Sequence, residues 1–464
     1  MSAVVVIGGG ITGLAAAHAL VTQRTGVEVT LLERAPRVGG KILTERHDGI
    51  TYEAGPDAFV ARDPAIMQLC TDLELRDSLI PPSVFGAHIW SGGKMKALPP
   101  DWSFGLPTGA ASLLGSDLLP VASRLRALWD LILPGKLQGE DISVGDLVRR
   151  RVGGQLLERV VDPLLAGSRA GNADDISVGA AMPQLDAIAR SSSSLIRGLG
   201  GARKDSTLPE GPPPFLGIPG GMQHLVDALA GSLTGATVRT GAGAASIEPS
   251  PTSGYSVHLE DGARVRAQGV IIATPAYAAA ALLESLDPEA ARQLYRIQYA
   301  SSAVAVLVYP GSNDKVPPTG SGFLVPSRDH KVLSACTWYS KKWPAAAAAA
   351  GRLVLRCFVG RSGRDASLAL DDGNLISLID GEIKEALGIT EKLEGWKLYR
   401  WDRGLPHYRV GHRQLVEKVD AALAAHRGIA VAGAGYRGSG LPDCVRQGQE
   451  AALRIVDLLA DADG

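Results

Sequence analysis

The chain mixes short uninterrupted apolar runs with long stretches of helical periodicity, and the two kinds of pattern occupy different parts of it. Ala3–Ile7 (AVVVI) is a run of the kind that forms a strand buried on both faces. Three glycines and a helical pattern follow, then a second strand pattern at residues 27–32 (VEVTLL) that ends in Glu33. From 104 to 213 the period is helical: Leu113, Leu114, Leu118, Val121, Leu125, Leu128, Trp129 and Ile132 form a stripe, which Pro120 is expected to split into two helices. Such a stripe faces the core or, if exposed, forms a tunnel wall or a membrane-surface patch. Residues 187–204 carry Arg190, Arg197, Arg203 and Lys204 amid SSSS and GLGG without one acidic residue, and read as a mobile basic loop able to cover a polyanionic substrate. Strand patterns resume at Tyr255–Leu259, 270–273, 303–309, 332–338 and Arg352–Val359, with few helices between, predicting a separate antiparallel or mixed sheet. The alanine run at 345–350 reads as a short exposed helix or loop, and a last strand at 429–432 leads to a final helix beginning near Pro442 or Asp443.

A length of 464 residues implies two or three domains. A hydrophobic content of 45% with 20% charged residues fits a soluble globular protein, and a formal net charge of -1 gives no bulk attraction to nucleic acid. Cys70, Cys336, Cys357 and Cys444 lack C-x-x-C spacing and the histidines lack H-x-x-x-H pairing, so neither a metal site nor a disulfide framework is expected. The first strand begins at the third residue with no basic leader before it, which points to the cytoplasm. Residues 113–133 are interrupted by Asp117, Arg124, Arg126 and Asp130, so no transmembrane span is expected.

Gly8, Gly10 and Gly13 fit G-x-G-x-x-G between a strand and a helix, where glycines allow a tight turn, close approach of a pyrophosphate and close helix packing. Glu33 lies twenty residues beyond Gly13, where a carboxylate can accept hydrogen bonds from the ribose hydroxyls. A second glycine pair, Gly39 and Gly40, with Arg37 and Lys41 beside it, can reach another part of a long cofactor and neutralise phosphate charge, which favours FAD over NAD. Gly433, Gly435 and Gly438 repeat the motif too near the end of the chain for another βαβ unit. The final helix instead closes the cofactor domain, its N-terminal dipole favouring negative charge near the N1 and O2 atoms of a reduced flavin.

GGGITGLAAA, LLERAPRVGGK and EAGPDAFVARDP, together with LPHYRVGH (405–412) and AGAGYRGSGLPDC (432–444), resemble the signature blocks of the FAD-dependent porphyrinogen oxidases. Within these amine-oxidase-like flavoproteins the chain is most similar to the Gram-positive-type coproporphyrinogen III oxidases, over nearly its full length. The resemblance implies an α/β fold: a Rossmann-like FAD-binding domain (1–75 with 214–278 and 425–464), a sheet-containing substrate domain (76–103 with 279–424) and a helical insertion (104–213). It places FAD contacts at Gly8, Gly10, Thr12, Gly13, Glu33, Arg34, Gly39, Gly40, Lys41, Gly55, Pro56, Asp57, Ala58, Ala244, Trp401, Gly433, Gly440, Leu441 and Pro442. Two positions depart from the family pattern: Arg169 stands where an aromatic residue is usual, and Ala244 where a valine usually contacts adenine.

The implied reaction removes six electrons from coproporphyrinogen III in three FAD cycles reoxidised by oxygen, each passing a hydride from a meso carbon to the flavin and yielding hydrogen peroxide. Hard chemistry of this kind resides in the cofactor, which accounts for the absence of any recognisable catalytic dyad or triad. Asp57 is the polar residue expected to face the flavin or substrate, or else to stabilise its turn. Arg62 and Arg169 are the candidates for binding the propionates. Protoporphyrinogen IX oxidation is the nearest alternative; amine oxidation, carotenoid desaturation and a non-catalytic flavin-bearing porphyrin carrier are more distant. A transient contact with ferrochelatase and a peripheral contact with a membrane complete the expected partners.

Overall fold

The structure, a computed structural model, describes residues 2–22, 26–61, 63–133, 135–169, 171–205, 215–251, 254–311, 313–345, 351–361, 363 and 366–463. Its nucleotide-type sheet is parallel and draws its five strands from distant parts of the chain, in the order Ile429–Val431, Gly269–Ile272, Ala3–Ile7, Glu28–Leu32, Ala236–Arg239. Alternation explains why the opening run contains no polar residue. Val4, Val6 and Ile271 enter the core beneath the first helix, Ile11–Thr22, whereas Val5, Ile7 and Val270 enter the core on the opposite face. The final helix, Leu441–Asp463, lies against the first at Gly448, where a Cβ would come within 2.3 Å of the Thr12 carbonyl oxygen. A three-stranded antiparallel sheet (Ala244–Pro249, Tyr255–Leu259, Arg264–Ala267) covers the second face through Ile247, Val257 and Leu259.

The second large sheet has seven strands, in the order Gly395–His407, Gln298–Pro310, Arg352–Val359, Leu333–Trp338, Gly322–Leu324, His88–Ser91, Lys94–Ala97. It is mixed, because Gly322–Leu324 runs parallel to His88–Ser91 while the other pairs are antiparallel. Helix Asp372–Leu387 covers part of it with Leu375, Ile376, Ile379 and Ile383. The strand Gly395–His407, absent from the sequence-based expectations, pairs with Gln298–Pro310 at the edge of the sheet. Lys397, Arg400, Asp402 and Arg403 stand along it, so it lacks the apolar run of an interior strand.

Helices including Ala110–Gly115, Val121–Leu128, Val144–Arg151, Asp162–Arg169, Pro183–Ser191 and Leu195–Asp205 build a third core around Leu113, Leu147, Val160, Val161, Leu185 and Leu199. Pro120 stands immediately before Val121–Leu128, as expected of a helix breaker. The apolar stripe divides: Leu113 and Leu118 are buried, but Leu114, Val121, Leu125, Trp129 and Ile132 are exposed, Ile132 by 78%. The basic loop expected at 187–204 is instead part of two helices, anchored by buried Leu195, Ile196 and Leu199. Their junction is tied down by Asp130, which accepts from the Ser194 hydroxyl (2.7 Å) and the Ile196 amide (2.9 Å), and Arg190 pairs with Asp186 (3.0 Å). The alanines at 346–350 and Arg62 lie outside the described residues.

Candidate active site

The turn after the first strand has the geometry a diphosphate requires. Gly8 takes a φ of +106°, and a Cβ at Gly13 would lie 1.8 Å from the Gly8 carbonyl oxygen, so the helix start is pressed onto the strand end. At Gly10, by contrast, nothing stands within 4 Å of a Cβ position, leaving the backbone open to an anion at the helix N-terminus. Glu33 accepts from the Gly9 amide with one carboxylate oxygen and from the Ala35 amide with the other, both at 2.7 Å. Each oxygen keeps a lone pair for a ribose hydroxyl. Arg34 pairs with Glu260 at 2.6 Å across Gly243, where a Cβ would meet both side chains, and buried Ala244 follows. Glu33, Arg34 and Ala244 thus mark one end of a track.

Its middle is the second glycine pair. The Gly39 amide donates to the Gly9 carbonyl at 2.7 Å, and a Cβ at Gly40 would lie 3.3 Å from the Gly10 Cα. Arg37 does not point its charge at a phosphate site: its guanidinium donates to the carbonyls of Val38, Gly40 and Ile42 and braces this loop. Lys41 is the cation left beside the turn, its ammonium group pushed below its ordinary pKa by burial. A Cβ at Gly55 would be 1.9 Å from the Lys41 carbonyl oxygen, so the stretch Gly55, Pro56, Asp57, Ala58 begins directly on that turn.

At the far end the Ala54 carbonyl accepts from the Trp401 indole at 3.0 Å, and a Cβ at Gly433 would meet the Thr12 hydroxyl at 3.4 Å. Gly440, Leu441 and Pro442 open the final helix. Asp443 stands in its first turn, accepting from the Gly440 amide and pairing with Arg446 at 3.1 Å, so this helix start carries a carboxylate of its own. The LPHYRVGH block is structurally part of this end. The Tyr408 hydroxyl donates to the Ala434 carbonyl (2.6 Å) and accepts from the Gly438 amide (3.0 Å), and its ring stacks on His412 at 4.0 Å.

Asp57 lies in an ion cluster that sequence reasoning missed. Its carboxylate accepts from Lys342 (2.8 Å) and the Trp343 indole (3.0 Å), with Arg356 at 3.3 Å. These cations hold its pKa far below the usual carboxylate range against the opposing effect of burial, so Asp57 stays ionised and carries no proton near neutral pH. Nearby Glu53 is buried, accepts from the Met222 amide (2.7 Å) and contacts the Thr44 hydroxyl (2.9 Å). Burial pushes its carboxyl up to about 7. The missed partners sit some 300 residues from Asp57, on elements with no motif, so no local signal could have identified them.

Of the two propionate candidates, Arg62 is outside the described residues, and Arg169 ends the helix Asp162–Arg169 with its side chain likewise outside them. Two cavities flank the segment that follows. One, of about 520 Å³, is lined by Asp174, Arg296, His407, Arg409 and His412; the other, of about 320 Å³, by Arg149, Asp162, Asn172, Ser327, Arg328 and Arg361.

Comparison with known proteins gives the same outline. Residues 11–456 match the family model described as flavin containing amine oxidoreductase. Coproporphyrinogen III oxidase of Bacillus subtilis (strain 168) is 33% identical over 459 residues, covering 97% of this chain and 96% of the relative. The protein of the same name from Propionibacterium freudenreichii subsp. freudenreichii is 32% identical, covering 98% and 90%. A crystal structure named "Putative protoporphyrinogen oxidase", from Exiguobacterium sp. 255-15, superposes with a TM-score of 0.88 at 30% identity and covers 98% of each chain.

Proposed function

Since the chain belongs to the flavin containing amine oxidoreductases, and shares about a third of its residues with coproporphyrinogen III oxidases over nearly its full length, we propose that it oxidises coproporphyrinogen III to coproporphyrin III. FAD, when bound, accepts the electrons two at a time. The observation that carries this reading is the continuous track from Glu33 through Gly8–Gly13 and Gly39–Lys41 to Gly55, Trp401 and Gly433, which matches a cofactor with a nucleotide at one end and a ring system at the other. Gly10 and the helix behind it hold the diphosphate, Glu33 holds the ribose, and the Gly55–Ala58 stretch supports the ring.

The chain's own task is to bind and orient: Asp57 is locked in its ion cluster, and the neighbouring Glu53 is buried against the Met222 amide and the Thr44 hydroxyl. Six electrons leave in three rounds, with three molecules of oxygen reduced to three of hydrogen peroxide. The smaller cavity, one segment beyond Arg169, carries Arg149, Arg328 and Arg361, but Arg149 is paired with Asp174 (2.5 Å), Arg328 with Glu158 (3.7 Å), and Arg361 is buried on Ser327 and two carbonyls, so a substrate carboxylate binds there only by displacing these partners. Protoporphyrinogen IX is the second reading, favoured by the name of the Exiguobacterium neighbour. The exposed stripe on Val121–Leu128 supports a peripheral membrane contact; a transient contact with a ferrochelatase stays an expectation of the family resemblance.

Mixing the yellow protein with each porphyrinogen under anaerobic conditions separates these readings. Flavin bleaching with appearance of the porphyrin Soret band is expected with coproporphyrinogen III. Faster bleaching with protoporphyrinogen IX would move the function to that substrate, and bleaching with neither would discard the porphyrinogen reading.

A further inference from the structure

Four side chains from the seven-stranded sheet and its short appended helix close on residues 54–57: Trp401 and Arg356 reach the carbonyls of Ala54 and Gly55, and Lys342 and Trp343 join Arg356 on Asp57. Arg356 is 2% exposed, lies over the rings of Tyr339 (5.6 Å) and Phe358 (5.2 Å), and its Nε has no hydrogen-bond partner. Lys342 and Asp57 are mostly buried as well. Two cations therefore share one carboxylate, while the remaining bond of Arg356 goes to a neutral carbonyl. The groups that could cancel the surplus are Glu53 and Tyr339; burial holds the Glu53 carboxyl up to about 7 and keeps the Tyr339 phenol protonated. While Glu53 holds its proton, Lys342 and Arg356 on the single Asp57 carboxylate leave excess positive charge, and a buried excess charge is costly unless a negative group comes to meet it.

We propose that Lys342 and Arg356 are positioning residues that hold Gly55–Asp57 against the ring system of bound FAD and present to it an uncancelled positive charge, which stabilises the negative charge FAD gains on reduction. The proposal rests on the reading of Gly55–Ala58 as an FAD-contacting stretch. Its two parts separate by chemistry. The planar fork of Arg356 fixes geometry, since one terminal nitrogen donates to the Gly55 carbonyl and the other faces the Asp57 carboxylate. The surplus charge sets how much tighter reduced FAD binds than oxidised FAD.

The test uses full-length protein reconstituted with FAD at pH 6.5, with flavin affinity followed by fluorescence quenching and reduction potential by equilibration with a reference dye. Lys342→Met removes one positive charge and is expected to weaken reduced relative to oxidised FAD at least tenfold, lowering the potential by about 30 mV for a two-electron couple. Asp57→Asn removes the cancelling charge and is expected to shift the potential the other way. Arg356→Lys keeps the charge but not the fork, so it loosens FAD binding several-fold while the potential stays near that of the wild type. Opposite shifts for the first two variants are not produced by a merely structural role. Equal potentials in wild type, Lys342→Met and Asp57→Asn, with FAD bound in all three, would overturn the proposal, and this pair decides even if Arg356→Lys does not fold. Failure of the wild type to bind FAD would instead remove the cofactor reading on which the proposal stands.

Discussion

Glu53 and Asp57 lie four residues apart and titrate in opposite directions. Folded Glu53 holds its proton up to about 7, whereas the unfolded carboxyl releases it near 4.5. Between those values the folded state binds more protons, so stability falls as pH rises, by roughly 3 kcal/mol from this group. Asp57 is depressed instead: its contribution is present above the ordinary carboxylate range and is lost as pH falls through and below it. Glu53→Gln keeps an acceptor for the Met222 amide and cannot ionise. Thermal melts are expected to show equal stability of variant and wild type at pH 4.5 and a more stable variant at pH 8; a wild type whose midpoint does not decline relative to the variant over that range would refute the assignment. Gly13 makes the simpler residue-scale prediction. Because a Cβ there meets the Gly8 carbonyl at 1.8 Å, Gly13→Asp must displace the helix start and is expected to give colourless protein. Yellow, fully active enzyme from that variant would contradict the diphosphate site.

The elements that could be read from the chain are those whose burial is uniform along their length. Ala3–Ile7 is an apolar run because both faces of its sheet are covered, and Arg352–Val359 is apolar apart from Arg352 and Arg356; the boundaries of both in the structure match the sequence pattern. Gly395–His407 carries charges because it lies at a sheet edge, and the pattern that identifies strands disappears with the second covered face. The helices at 183–205 were obscured by serines and glycines that favour loops locally, yet Asp130 and the buried leucines outweigh that preference. The helix Val121–Leu128 shows a converse limit, since periodicity reveals an apolar face but not what covers it. With Leu125, Trp129 and Ile132 exposed and Arg124 and Arg126 beside them, wild-type protein is expected to co-sediment with vesicles containing anionic lipid. The double variant Leu125→Glu, Ile132→Glu should remain in the supernatant with unchanged activity in solution. Wild-type protein that fails to pellet would exclude the bilayer contact.

At the scale of the whole molecule, local pattern determined a great deal. The glycine spacing and the acidic end of the second strand identified a dinucleotide-type fold, because a diphosphate admits few backbone solutions and each leaves glycines at fixed intervals, while the paired C-terminal blocks pointed to the flavoprotein family by resemblance. The resemblance to the family nominated the remaining positions of the track, and the structure brings Glu33, Gly39, Gly55, Trp401 and Gly433 close to its glycine turn. Tertiary structure alone decided what meets that track from outside. The parallel sheet closes only when residues 429–431 return beside 269–272, and Tyr408 joins the two C-terminal blocks by bonding Ala434 and Gly438. Lys342 and Arg356, far along the chain, make Asp57, expected only as a polar residue facing the flavin or substrate or stabilising its turn, into a fixed charge. A backbone conformation leaves its mark in neighbouring residues, whereas a buried charge is governed by whichever side chains the fold brings near it, and those can come from any distance along the chain.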